Sequence, residues 1–207
     1  MLTLYVGSKR YSSWSLRPYL ALATAGATFE TKTILLDQPT TKAEIAKVNP
    51  AGRVPVLHDG DLVIWDSLAI CEYAHELYGN LWPSARAARA RARAVSAEMH
   101  AGFASLRREM PMDLCASKPG QGHTPESLAD ARRVHAIWRD ALATSGGPFL
   151  FGTFTIADAM FAPVTTRFRT YGVELDAQLR AYVDAVAALP AMQAWQRDAE
   201  AEPKTRA

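Results

Sequence analysis

The chain has 207 residues, 49% of them hydrophobic and 21% charged, with a formal net charge of +2. That length can bury a core as one large domain or two small ones, and so small a net charge gives no support to nucleic-acid binding, which needs a clustered basic face. Cys71 and Cys115 are far apart and in neither CxxC nor metal spacing, which argues against a disulfide framework and against dithiol redox chemistry.

The strand-like run Leu2 to Val6 begins at once, without a signal peptide, and no apolar run reaches the length needed to span a membrane. The expectation is a cytosolic protein. Leu2 to Val6 alternates as a first strand. After a polar loop from Gly7 to Tyr11, Ser12-Ser13-Trp14-Ser15 leads into a helix to about Ala25. Leu16, Tyr19, Leu20 and Ala23 recur there at helical spacing, and Gly26 stops it. Pro18 suits only a first helical turn, which predicts a start near Ser15 or Arg17. Phe29 to Leu36 alternates as a second strand, and Thr41 to Val48 allows one or two helical turns.

Asn49 to Tyr73 is the densest stretch. Asn49-Pro50-Ala51-Gly52 reads as a turn. Val54-Pro55-Val56-Leu57 reads as a short strand in which Pro55 cannot donate to a ladder, so Val54-Pro55 is a candidate cis bond. Asp59-Gly60 signals a hairpin into Leu62-Val63-Ile64-Trp65. Asp66 or Ser67 then caps a helix from Leu68 to Tyr78, whose first N–H groups attract anions.

An NPxGxVPxL turn, a DG hairpin and an acidic-Ser pair opening a helix together resemble the second half of the glutathione transferase N-terminal domain. The order β-α-β-α-β-β-α fits a thioredoxin-like sheet with helices on both faces. Gly79, Trp82 and Pro83 punctuate a connector. Beyond it the chain reads as helical: Ala85 to Met110, interrupted in composition only by Gly102, then Pro125 to Ala143, and later Asp176 to Ala188 and Ala191 to about Ala199. Pro111 to His123 is a loop, and Glu202 to Ala207 is expected to fray. Thr155-Ile156-Ala157-Asp158 is a capping box, and a buried helix opening with this box is a second glutathione transferase feature. The expected layout is a thioredoxin-like glutathione-binding domain over 1–79, a linker over 80–88, and an all-helical domain over 89–207 that forms the electrophile pocket.

Glutathione is a nucleophile only as thiolate. A hydroxyl donor and the positive end of a helix stabilise that form. RYSSWSLRPYLAL is similar to the Ser-Ser-Cys-x-x-Arg pattern of the zeta class, whose members include maleylacetoacetate isomerases. The resemblance implies Ser12 as the activating serine with Ser13 beside it, and Trp14 stands where the pattern has Cys. Ser15 and Tyr11 are further hydroxyls in reach, and one serine can instead be a plain N-cap. The resemblance also implies Val54, exposed by Pro55, pairing with the cysteinyl backbone. Asp66 would take the γ-glutamyl ammonium and Ser67 its carboxylate, with Arg53 or Lys42 on the glycyl carboxylate. Tyr11, Trp14, Met99, Phe103, Arg107 and Phe168 are candidate walls for a small hydrophobic electrophile.

Other chemistries lack their residues. No G-x-S-x-G elbow is present, and Gly146-Gly147 lacks the Lys and Ser/Thr of a phosphate loop. His58, His75, His100, His123 and His135 show no metal spacing, so no metal is expected. Arg86, Arg89, Arg91 and Arg93 suggest a solvated or interface face. The family pairs as homodimers, with the first domain of one subunit against the long helices of the other, and that face is a candidate for the contact. The expected activity is a glutathione transferase. A zeta-type cis–trans isomerase and a non-catalytic protein-binding module are the alternatives.

Overall fold

The computed structural model describes residues 1–205, so part of the expected terminal fraying, at Arg206 and Ala207, lies outside the described residues. The chain opens with β1 (Leu2–Gly7), α1 (Ser13–Thr24), β2 (Phe29–Ile34) and α2 (Thr41–Val48). The hairpin β3 (Val56–Asp59) and β4 (Leu62–Trp65) follows, and α3 (Ser67–Tyr78) closes this domain. The sheet order is β2-β1-β3-β4. β1 runs parallel to β2, with Leu4 opposite Thr31, and antiparallel to β3, with Leu4 opposite Leu57. Leu2, Leu4 and Val6 alternate inward and are buried, as a two-residue period requires.

Two local expectations are corrected here. α1 starts at Ser13, which leaves Pro18 inside the helix rather than in its first turn. The Ser12 cap sets the start, and the proline is tolerated within a buried helix held on both sides. β3 starts at Val56, beyond Pro55, where the expected strand began at Val54, and it lies between β1 and β4. A central strand needs its N–H groups, so the proline stands just before it. The Val54–Pro55 bond is cis.

The second domain is helical: α4 (Arg86–Ala101), α5 (Ala104–Glu109), α6 (Pro125–Ser145), α7 (Ile156–Tyr171), α8 (Ala177–Ala188) and α9 (Pro190–Ala201). α4 begins inside the segment expected as a linker. The expected single helix from Ala85 to Met110 breaks at Gly102–Phe103. Gly102 is extended, and a Cβ there would lie 2.8 Å from the Glu98 carbonyl oxygen. Phe103 follows at φ 62, in the left-handed region. α7 is buried along nearly its whole length. Its capping box is formed: Asp158 accepts from the Thr155 N–H at 2.8 Å and from the Leu150 N–H at 3.0 Å.

This is a four-stranded thioredoxin-like domain followed by an all-helical domain. One continuous core joins them, from Leu4 and Leu20 to Met160, Phe161 and Trp195. Polar ties cross the same boundary. The Trp195 indole donates to the Lys9 carbonyl at 2.9 Å, the Arg17 Nε to the Met160 carbonyl at 3.2 Å, and the Ile156 N–H to the Leu81 carbonyl at 2.9 Å. The boundary is therefore fixed, and a cleft lies along it.

Candidate functional site

The N-terminus of α1 forms one side of the cleft. Ser12 is the N-cap, its Oγ accepting from the Ser15 N–H at 3.4 Å. The Ser12 and Ser15 oxygens lie 2.7 Å apart, and the Ser15 Oγ accepts from the Gly7 N–H at 3.0 Å. Hydroxyl hydrogens rotate. The two groups can therefore align as a chain, Gly7 N–H to Ser15 and Ser15 O–H to Ser12, which leaves the Ser12 proton for the cleft. Such chains polarise and strengthen their last donor. Ser12 and Ser13 line a cavity of ≈440 Å³ together with Tyr11, Trp14 and Val54. Ser15 is fully buried and lies outside that lining, so its place is beneath the site.

The turn before β3 supplies the facing wall. Buried Asn49 organises it: its Oδ1 accepts from the Ala51 N–H at 2.9 Å, and its Nδ2 donates to the Arg53 carbonyl at 2.6 Å. Arg53 and Val54 border both the ≈440 Å³ cavity and an adjoining one of ≈510 Å³. Pro55 lines the second cavity, as do Asp66 and Ser67. Lys42 is exposed on α2 and borders neither.

Asp66 and Ser67 meet at the start of α3. Asp66 sits at φ 75, a conformation an Asp tolerates better than most residues. Its Oδ1 accepts from the Leu68 N–H at 2.9 Å and the Ala69 N–H at 3.3 Å. Ser67 is 1% exposed, and its hydroxyl has no partner among the described residues. A buried hydroxyl without a bond is costly unless something fills the position.

His100, at the end of α4, reaches across from the second domain. Its Nε2 lies 3.2 Å from the Asp66 Oδ2, and its ring meets Trp14 edge-on at 5.2 Å. It lines the ≈510 Å³ cavity. The sequence gives His100 no metal spacing and no place in the site, because nothing local links α4 to the start of α3. Arg167 was missed for the same reason. Two arginines, Arg167 and Arg169, lie near the end of α7, and their spacing alone does not tell that Arg167 is the buried one.

The expected electrophile walls divide. Tyr11, Trp14 and Arg107 border the ≈440 Å³ cavity, joined by Pro111, Met112 and Arg167. Met99 and Phe103 belong to the buried core, and Phe168 packs edge-on at 5.3 Å against His135 and tilted at 5.4 Å against Trp138. Helical spacing does not distinguish a core stripe from a cleft wall, and these three residues fill the core. A separate cavity of ≈540 Å³ opens among α7, α8 and α9, lined by Thr165, Thr166 and Gln193 among others. The Thr165 and Thr166 hydroxyls donate to backbone carbonyls, and Arg169, Gln193, Gln196 and Arg197 are among the cavity's other polar walls. Among the described residues no group of three His, Cys, Asp or Glu could hold a metal ion, and no helix is long and apolar enough to cross a membrane.

Comparison with known proteins agrees with this architecture. The chain is 37% identical over 97 residues to a protein described as a probable maleylacetoacetate isomerase from Caenorhabditis elegans, covering 46% of the chain and 45% of that protein. The match thus spans less than half of that relative's length. A stringent starvation protein A homolog from Pasteurella multocida is 26% identical over 159 residues, covering 75% of the chain and 70% of that protein. Among solved structures, a glutathione transferase homolog from Burkholderia GL BGR1 with bound glutathione superposes with a TM-score of 0.75 at 24% identity, over 97% of this chain and 99% of the other. That likeness shows the fold. The family model for the glutathione S-transferase N-terminal domain matches residues 11–77, and that for the C-terminal domain matches residues 84–197. The chain belongs to the glutathione S-transferase family.

Proposed function

We propose that the protein is a glutathione transferase whose Ser12 hydroxyl stabilises the glutathione thiolate for attack on a small electrophile. The observation that carries this reading is Ser67, buried without a partner at the N-terminus of α3 beside Asp66. A carboxylate in the ≈510 Å³ cavity would satisfy that hydroxyl and meet the positive end of α3, while Asp66 takes an ammonium. The γ-glutamyl end of glutathione carries both groups on one carbon. Val54 would then pair with the cysteinyl backbone as an added strand. Arg53, which borders both cavities, is the residue for the glycyl carboxylate. In this arrangement the thiol lies toward Ser12 and Ser13.

The chemistry is proton loss and substitution. The thiol gives its proton to solvent, and the Ser12 O–H donates to the sulfur anion. The sulfur lone pair forms the S–C bond, and the leaving group departs with its bonding pair. A second reading is favoured by the likeness to the isomerase relative and by the Ser12-Ser13 pair: the thiolate adds to a conjugated double bond, the single bond rotates, and the thiolate is expelled. A twofold homodimer is part of the proposal. The likeness to the stringent starvation protein A homolog makes a non-catalytic binding module the competing outcome.

Calorimetric titration with glutathione tests the reading. Wild type should bind it, and Asp66→Asn should bind it about 1–3 kcal/mol more weakly, the cost of losing a charge-assisted partner. Absence of binding to the wild type would leave the binding-module reading standing.

A further inference from the structure

Three guanidiniums converge beside this cleft with no carboxylate in ion-pair contact, although Asp130 acts on Arg107 and Asp66 on Arg17 from further away. Arg17 is fully buried, and both of its terminal nitrogens lack a partner. Arg107 caps the end of α4, its Nε donating to the Gly102 carbonyl at 3.0 Å and its Nη2 to the Met99 carbonyl, while its buried Nη1 is unpartnered. Arg167 is 4% exposed and spends its Nε on the Met110 carbonyl at 2.9 Å and its Nη1 on the Pro163 carbonyl at 3.2 Å. The Trp14 ring connects two of them, with the Arg17 guanidinium 4.3 Å and the Arg107 guanidinium 4.7 Å from its centroid. Among the described residues none of the three makes an ion pair.

Burial lowers the proton affinity of all three, and neighbouring guanidiniums add to this for Arg17 and Arg167, the latter pushed down to about 9. An unpaired buried charge is strongly unfavourable unless a counter-charge arrives. Carbonyl capping alone does not call for this cluster, because it leaves three terminal nitrogens buried and unpartnered. Arg107 and Arg167 both border the ≈440 Å³ cavity that Ser12 and Ser13 line, and its other walls include apolar Ile45, Pro111 and Met112.

We propose that Arg107 and Arg167 form an anion site for the second substrate, which is then an apolar electrophile carrying a carboxylate or similar acidic arm. The inference rests on the glutathione transferase reading and deepens it. The anion could also come from glutathione itself, through its glycyl carboxylate, and the experiment separates the two sources.

The probes are S-benzylglutathione and S-(4-carboxybenzyl)glutathione, which share the glutathione part and differ by one carboxylate. Calorimetry on the full chain at low ionic strength should give about tenfold tighter binding of the carboxylated conjugate, as a charge-assisted pair with a guanidinium provides. Arg107→Gln should abolish that preference while leaving glutathione affinity unchanged, with circular dichroism as the check on folding. The wild-type comparison decides even where the variant fails to fold. Equal or weaker binding of the carboxylated conjugate overturns the anion site and leaves the glutathione reading intact. If neither conjugate binds, both readings fall. If Arg107→Gln weakens glutathione but not its glycyl ethyl ester, the arginine serves the glycyl carboxylate and the proposal is wrong.

Discussion

Ser12 both caps α1 and borders the cleft, and its 2.7 Å contact with Ser15 reconciles the two duties, since a rotated Ser15 hydroxyl can donate there and free the Ser12 proton. Replacing Ser15 by Ala should therefore raise the pKa of a bound thiol by less than losing Ser12 does. It should also orphan the Gly7 N–H, at a stability cost of about 1–3 kcal/mol. Thiolate absorbance against pH and thermal melting read the two effects separately. Asp66→Asn separates binding from folding in the same way: asparagine keeps the cap and tolerates the positive φ, so glutathione affinity should fall while the melting temperature stays nearly unchanged. Much at this scale was legible in the sequence. Ser12, Ser13, Val54, Asp66 and Ser67 stood out because each sits at a turn or helix start whose chemistry is local. Arg167 and His100 did not, because a buried charge and a cross-domain contact acquire meaning only once α7 and α4 are in place.

The helices and strands were legible wherever periodicity and caps agreed. α2 matches its expected bounds, and α3, α8 and α9 lie close to theirs. The exceptions have physical causes: Gly102 splits α4 from α5 by its extended backbone, and Pro18 is carried inside α1 by its neighbours' packing. α7 offers a test of its own. Burial pushes the Asp158 carboxyl up to about 6 from an ordinary 3.8, against the hydrogen bonds it accepts from Leu150 and Thr155. The folded state then binds more protons than the unfolded state between those values, so stability falls as pH rises from about 4 to 6. The span corresponds to roughly 3 kcal/mol at about 1.4 kcal/mol for each pH unit. Asp158→Asn should flatten that slope, measured as urea-unfolding free energy against pH. An unchanged slope would assign the titration to other groups.

For the whole molecule, the order of an α/β domain before a helical one was legible from the change in pattern near Gly79, whereas a cleft with walls from both domains was implied only by the family resemblance, since it is made by elements far apart in sequence. The continuous core predicts a single cooperative unfolding transition, with Trp195→Ala costing about 3–5 kcal/mol because its fully buried indole also holds the Lys9 carbonyl. Two separate calorimetric transitions would contradict that. The homodimer predicts twice the chain mass by light scattering at micromolar concentration. The most direct test of the account is the ultraviolet titration of glutathione bound to wild type and to Ser12→Ala. Serine activation predicts a wild-type midpoint well below the ~8.5 of a free thiol. In Ser12→Ala it should rise by about one to two pH units, equivalent to a charge-assisted hydrogen bond of about 1.5–3 kcal/mol. A wild-type midpoint equal to that of free glutathione, or one that Ser12→Ala leaves unmoved, would contradict serine activation of the thiol.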